Sequence, residues 1–129
     1  MTAIVRRSTK GALIALIAVS VAGTADVAEF LATRTAMFTD APGRAAGSVV
    51  GLALWLALLG VATLRYARGE RPATSSATLG LAGLVAAGNV GLTAIHLKVG
   101  AGGVRPFVGG LLGILALMLA FASRDRSRD

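Results

Sequence analysis

Two carboxylates, Asp26 and Glu29, lie inside a long apolar stretch near the amino end of the chain. They are three residues apart, so on a helix they share one face, and Thr33 continues that face one turn later. An ionisable group at the centre of a membrane costs about 2.5–3.5 kcal/mol on insertion scales. If this stretch crosses a membrane, both carboxylates therefore need a structural or functional reason to be there.

A stripe of polar side chains runs along a later apolar stretch, at Thr78, Asn89, Thr93 and His96. At about 100° of rotation per residue, these positions fall within a narrow arc of one helix. The stripe contains the single histidine of the chain. Its amide, hydroxyl and imidazole groups can form hydrogen bonds, bind a cation or carry a proton.

The two sets of polar side chains are predicted to meet at one level of the membrane. Both helices run in the same direction, and Asp26 is about 22 Å from the start of its helix at 1.5 Å per residue. Asn89 then lies at about the depth of Asp26, and His96 at about the depth of Glu29. The candidate site is this cluster in the outer half of the first and third helices. Three basic residues stand at its mouth: Arg34, Lys98 and Arg105.

Two interpretations of this polar cluster are open. In the structural one, Asp26 and Asn89 are interhelical hydrogen-bond partners, a contact worth about 0.6 kcal/mol on average in membranes. Glu29 and His96 are then solvated residues at the membrane interface. In the functional one, the four residues form a pocket that is open to the outside and exchanges a proton or a cation near neutral pH.

The sequence offers little for other chemistry. Asp26, Glu29 and His96 are suitable ligand types for zinc, manganese or iron, but no spaced histidine motif accompanies them, and the metal is left unassigned. The glycine-rich residues 100–103 link two apolar blocks and lack the context of a dinucleotide-binding loop. The sequence has no visible nucleophile–base pair or cofactor motif. We therefore expect a non-enzymatic protein without a cofactor.

Long apolar blocks carry these residues. The chain has 129 residues, of which 55% are hydrophobic and 15% charged, too few charges to cover a soluble domain of this size. A membrane span takes about 20 residues. Four blocks reach that length, at about residues 11–33, 45–66, 76–97 and 104–123. The prediction is an all-α integral membrane protein with one membrane domain, residues 1–129, which forms an antiparallel four-transmembrane-helix bundle.

The basic residues predict the orientation. Nine of the thirteen lysines and arginines fall on one side of the predicted membrane, which the positive-inside rule makes cytoplasmic. The nine are Arg6, Arg7, Lys10, Arg65, Arg68, Arg71, Arg124, Arg126 and Arg128. We therefore expect a cell (inner or plasma) membrane protein with both termini in the cytoplasm. The same rule accounts for the net charge of +7, so no nucleic-acid partner is expected.

The amino end allows a rival interpretation. Two arginines precede an apolar run that ends in Ser20-Val21-Ala22, which is the pattern of a cleaved secretory signal. Cleavage after residue 22 would leave three helices with the same orientation. Residues 27–32 argue for a retained span, because they continue the apolar block beyond the two carboxylates.

Glycines provide the means for helix contact. Gly47 and Gly51 form a small-xxx-small pair in the second span, and Gly109 and Gly113 form another in the fourth. This spacing lets helix backbones approach closely in lipid. The pairs predict either packing within one bundle or an interface between copies of the chain.

The expected function is that of a small multi-pass membrane protein which self-associates or serves as an accessory subunit of a membrane complex. Its expected partners are the lipid bilayer and either further copies or that larger complex. The alternative is a small transporter or channel, coupled to protons or cations through the polar cluster. Asp26→Asn distinguishes the two, since only transport depends on the charge of this residue.

Overall fold

The computed structural model describes residues 2–68, 72–98 and 105–123. Side chains are described for residues 10–68 except Met37, for 76–98 except Ile95 and His96, and for 107–123. The described residues form no strand. Their helices are α1 (Thr2–Thr33), α2 (Met37–Asp40), α3 (Pro42–Arg68), α4 (Pro72–Lys98) and α5 (Arg105–Ala122). The predicted all-α class is confirmed.

Three of these helices are long and apolar enough to cross a membrane. The qualifying segments are Lys10–Thr33 in α1, Pro42–Arg68 in α3 and Ser76–Ala94 in α4. The apolar part of α5, Phe107–Ala122, is shorter. At most 28% of the residues in the three long segments are buried within the protein. Most of their apolar surface therefore faces outward, where lipid would cover it, and the helices indicate a membrane protein.

Three of the described helices begin earlier than the apolar blocks that predicted them. Pro42 and Pro72 are the first residues of α3 and α4. Proline suits this position because its fixed φ matches the helix and the missing N–H has no partner there anyway. Similarly, α1 begins at Thr2, ahead of the predicted start near residue 11. For these three helices, hydrophobicity thus located the apolar part and not the amino end.

The connection between α1 and α3 is folded rather than extended. α2 is a single turn, with hydrogen bonds from Phe38 N to Thr35 O (3.1 Å) and from Asp40 N to Ala36 O (2.9 Å). It ends before Ala41, which precedes a proline and is therefore disfavoured in the α conformation. A single turn carries no hydrophobic period, so the sequence did not predict it. We call this end of the bundle the α2 end.

The four long helices pack in a ring. α1 contacts α3, α3 contacts α4, α4 contacts α5, and α5 contacts α1. In the described part of the chain, the backbones of α1 and α4 do not approach each other, and neither do those of α3 and α5. The core is built by all four, mostly from small or aliphatic side chains. It comprises Leu16, Trp55, Leu58, Ala62, Ala82, Val85, Ala116 and Ala120.

Trp55 is the large side chain of this core, with 1% of its surface exposed. Its indole lies directly on the backbone of Gly23 in α1. A Cβ atom at residue 23 would overlap the indole ring. The absence of a side chain at Gly23 therefore sets the close approach of α1 and α3.

Candidate functional site

The carboxylates of α1 lie in different surroundings. Asp26 is half-buried and Glu29 is exposed. The buried face of α1 contains Leu13, Leu16 and Ser20. At about 100° per residue, Asp26 lies about 100° around the helix from the middle of that face. The carboxylate face is therefore a flank of α1 and not the side that meets the bundle interior.

Asn89 and Thr93 lie in the contact between α4 and α5. The Asn89 side-chain amide donates to Val85 O at 2.8 Å, and Thr93 Oγ1 donates to Asn89 O at 2.9 Å. A Cβ at Gly109 would lie 3.0 Å from Asn89 Oδ1, and one at Gly110 would lie 2.7 Å from Thr93 Oγ1. These two members of the polar stripe thus face the glycine-rich side of α5.

The described contacts do not join the two predicted halves of the site. α1 and α4 lie across a diagonal of the ring, and no described hydrogen bond links Asn89 to Asp26. His96 belongs to α4, but its side chain lies outside the described residues, so its meeting with Glu29 stays a prediction. Where side chains are described, no three of His, Cys, Asp or Glu gather as metal ligands.

The interior holds hydroxyl groups that sequence reasoning did not select. Ser20 is fully buried and Thr24 is half-buried, one turn apart on α1. Their Oγ and Oγ1 atoms are buried and have no hydrogen-bond partner among the described residues. Buried hydroxyls are normally satisfied by protein or by ordered water. The described part of α1 therefore presents two hydroxyls to the bundle without a described partner.

A buried arginine lies at the opposite end from α2. Arg65 is 2% exposed, and its Nη1 donates to Ser123 Oγ at 3.2 Å. Its Nη2 donates to the carbonyl oxygen of Ser123, while Ser123 Oγ donates to Ala120 O at 3.1 Å. The guanidinium therefore caps the carboxyl end of α5, where carbonyls lack helical partners and the helix dipole is negative.

Arg65 is one of the nine basic residues that predict the cytoplasmic side, but its side chain is buried in the bundle and not exposed with the charges of a connection. Trp55, Leu58, Ala62 and Arg65 are all buried, and their spacing alternates between three and four residues. This is the spacing of one helix face. Arg65 therefore continues the buried face of α3. The sequence contains this spacing, but the charge of Arg65 favours an exposed position, and the prediction followed the charge.

The two glycine pairs have different surroundings. A Cβ at Gly113 would lie 3.1 Å from Ala86 Cα and 3.1 Å from Asn89 Cβ, so the fourth-span pair lies against α4. At Gly47 and Gly51 a Cβ would meet nothing within 4 Å in the part of the chain that the structure describes. The pair in α5 packs within the chain, whereas the described residues leave open space beside the pair in α3.

The open glycines continue the buried face of α3. At about 100° per residue, Gly47 and Gly51 lie within about 20° of Leu58 around the helix. Leu58 is fully buried, Gly51 is half-buried and Gly47 is exposed. The described residues therefore leave the inward face of α3 uncovered toward the α2 end. We call this uncovered part, Gly47 with Gly51, the open glycine stripe.

The described surface includes two shallow depressions. One, of about 320 Å³ at the α2 end, is lined by Phe30, Arg34, Ala36, Ala41 and Arg44. The other, of about 160 Å³ between α4 and α5, is lined by Val90, Thr93, Phe107, Gly110, Leu111 and Ile114. Asp26, Glu29 and Asn89 line neither of them.

No protein-family model, curated protein or solved structure matches the chain. Its class is defined by the fold, which is all-helical with three helices long and apolar enough to cross a membrane.

Proposed function

We propose that the chain is an integral membrane protein of four antiparallel transmembrane helices that associates with further copies of itself through α3. The observation that carries this proposal is the open glycine stripe. Its two glycines are spaced for close backbone approach, and a Cβ at either would meet no described residue within 4 Å. In this proposal the basic side of the bundle is cytoplasmic.

The physical reason lies in how helices associate in lipid. Lipid tails are as apolar as leucine, so association depends on close van der Waals packing and interhelical polar contacts. Glycine faces allow that packing because two backbones can touch, with Cα–H···O contacts between them. A helix from a second copy at Gly47 and Gly51 would extend the packing that Leu58 and Ala62 make within the chain.

The test is the double variant Gly47→Ile with Gly51→Ile, reconstituted in liposomes. A Cβ at either position meets no described atom within 4 Å in the monomer, so we expect the fold to be retained while the close approach of a second helix is blocked. We expect at least about a tenfold weaker association, or about 1.4 kcal/mol. Subunit counting by single-molecule photobleaching, over a series of protein-to-lipid ratios, measures it.

The matched control is Gly60→Ile. Gly60 is exposed, belongs to the same helix and has open space at its Cβ position, but lies on the opposite side of α3 at about 100° per residue. It should associate like the wild type. Unchanged association of the double variant, or a wild type that is monomeric at every ratio, would sink the proposal.

A second candidate is transport of a proton or cation, favoured by one specific observation. Asp26 is a half-buried carboxylate within Lys10–Thr33, a segment long and apolar enough to cross a membrane. Ionisable residues inside membrane-spanning segments are rare and often mark ion or proton pathways. This candidate depends on Asp26 and not on the position of Asn89.

Asp26→Asn tests transport. Proton and cation flux into proteoliposomes should fall to the protein-free level in this variant, with helix content unchanged. The control is Asp40→Asn, an exposed carboxylate in α2, which should leave flux unaltered. Wild-type flux no greater than that of empty liposomes would remove transport from consideration and leave self-association in place.

A further inference from the structure

The depression at the α2 end is the strongest feature that the proposed association does not use. The walls come from the end of α1, from the connection and from the beginning of α3. They are held by backbone hydrogen bonds from Arg34 N to Phe30 O (3.1 Å) and from Ala45 N to Ala41 O (3.0 Å). The depression of about 320 Å³ is therefore bounded by ordered backbone on both sides.

Two arginines, Arg34 and Arg44, line this depression. Arg34 and Arg44 are both exposed, and no ion pair of either is found among the described residues. The Arg34 guanidinium lies over the Phe30 ring, 5.1 Å from its centroid. This cation–π contact restrains the side chain and leaves the edges of its planar fork available for an oxyanion.

The helix dipole adds to the positive potential. Arg44 is in the first turn of α3, which has no acidic residue. A cation is unfavourable at a helix amino end, where the dipole favours negative charge. An anion bound beside Arg44 would reverse that disadvantage, because it would meet both the guanidinium and the free N–H groups of the first turn. Asp40 precedes the helix but is exposed and does not line the depression.

We propose that this depression binds a phosphate group through Arg34 and Arg44. Planar guanidinium forks match the geometry of phosphate oxygens and form charge-assisted bidentate hydrogen bonds. In an inserted bundle the α2 end lies at the level of lipid headgroups, so an anionic phospholipid is the source at hand. A soluble phosphate ester is the other source of the same chemistry. The site is formed within one chain and does not depend on self-association.

The experiment is native mass spectrometry of the full chain in mild detergent, titrated separately with phosphatidylglycerol and phosphatidylcholine. Wild-type protein should retain phosphatidylglycerol in preference to phosphatidylcholine. The double variant Arg34→Gln with Arg44→Gln should bind phosphatidylglycerol at least about tenfold more weakly. Arg68→Gln is the control, because Arg68 is exposed in the last turn of α3, far from the depression.

A competition arm separates the two sources. Inorganic phosphate and glycerol 3-phosphate are added to the phosphatidylglycerol complex of the wild type. Displacement assigns the site to phosphate groups in general, and retention assigns it to the lipid headgroup with its chains. Both outcomes agree with the proposal.

Three results would overturn it: equal retention of the two lipids, a double variant that binds like the wild type, or an equal loss in Arg68→Gln. Circular dichroism checks that the variants are helical. If the double glutamine variant fails to fold, Arg34→Lys with Arg44→Lys replaces it. Lysine keeps the charge and loses the fork, so binding weaker than the wild type supports the proposal and unchanged binding contradicts it.

Discussion

Among single residues, Gly23 determines how closely α1 approaches α3. Replacing it with alanine puts a methyl group into the indole of Trp55, which is buried and cannot move aside. We expect Gly23→Ala to lower the free energy of unfolding by about 1–3 kcal/mol, the usual cost of an overpacked core. Equilibrium unfolding in mixed micelles of mild detergent and dodecyl sulfate measures the loss.

Gly60→Ala is the control for helix propensity. Gly60 has open space at its Cβ position, and alanine is the better helix former by about 0.5–1 kcal/mol. This variant should be as stable as the wild type or slightly more so. Equal effects of the two substitutions would mean that the indole does not rest on residue 23.

Arg65 is the polar counterpart of Trp55 on the same face of α3. In Arg65→Met the apolar stem is retained, and the carbonyl of Ser123 loses the Nη2 donor. An unsatisfied buried acceptor costs about 1–3 kcal/mol, and we expect a loss of that size in the same unfolding assay. Arg68→Met removes an equal charge from an exposed site and should have little effect. Similar losses in both variants would attribute the effect to charge alone.

Among the helices, α5 packs closely against α4 through its glycine pair, Gly109 and Gly113. Gly113→Ala would place a Cβ 3.1 Å from Ala86 Cα, and backbone gives way less easily than a flexible side chain. We expect a loss of about 1–3 kcal/mol. Gly91→Ala is the control on α4, where the added atom meets nothing within 4 Å. A stable Gly113→Ala variant would show that α5 can shift away from α4.

Helix type and approximate extent could be predicted from the sequence because apolar blocks of about 20 residues leave few alternatives. The ends could not, since Pro42 and Pro72 favour both a turn and the first position of a helix. The turn of α2 was missed for a different reason. It is held by local backbone hydrogen bonds, which leave no pattern in hydrophobicity.

The predicted site depends on the depth of Asp26 and Asn89 in the membrane. Counting residues from the helix ends predicts that depth, but it does not predict which helices are neighbours. The ring puts α1 and α4 on a diagonal, and Asn89 faces α5. Neighbours depend on packing among all four helices, which no single stretch of sequence encodes.

For the whole molecule, the proposed topology can be tested by labelling single introduced cysteines, without labelling of native cysteines in the chain. The chain contains no cysteine, so single cysteines report their own location. Ala36→Cys and Ala67→Cys place exposed thiols at opposite ends of the bundle. In intact cells, a membrane-impermeant maleimide should label residue 36 and should reach residue 67 only after lysis. The reverse pattern would invert the topology, and labelling of both in intact cells would argue against a spanning bundle.

The bond between Arg65 and Ser123 also has a consequence for biogenesis. The two residues are separated by 58 positions, and at about 5–20 residues per second the ribosome needs roughly 3–12 s to reach the second after making the first. During that interval the arginine has to stay at the membrane surface or be sheltered by the insertion machinery. The burial of Arg65 is thus completed only when α5 has been made. Ribosome-bound chains stalled before residue 123 should therefore be more accessible to protease at α3 than released chains.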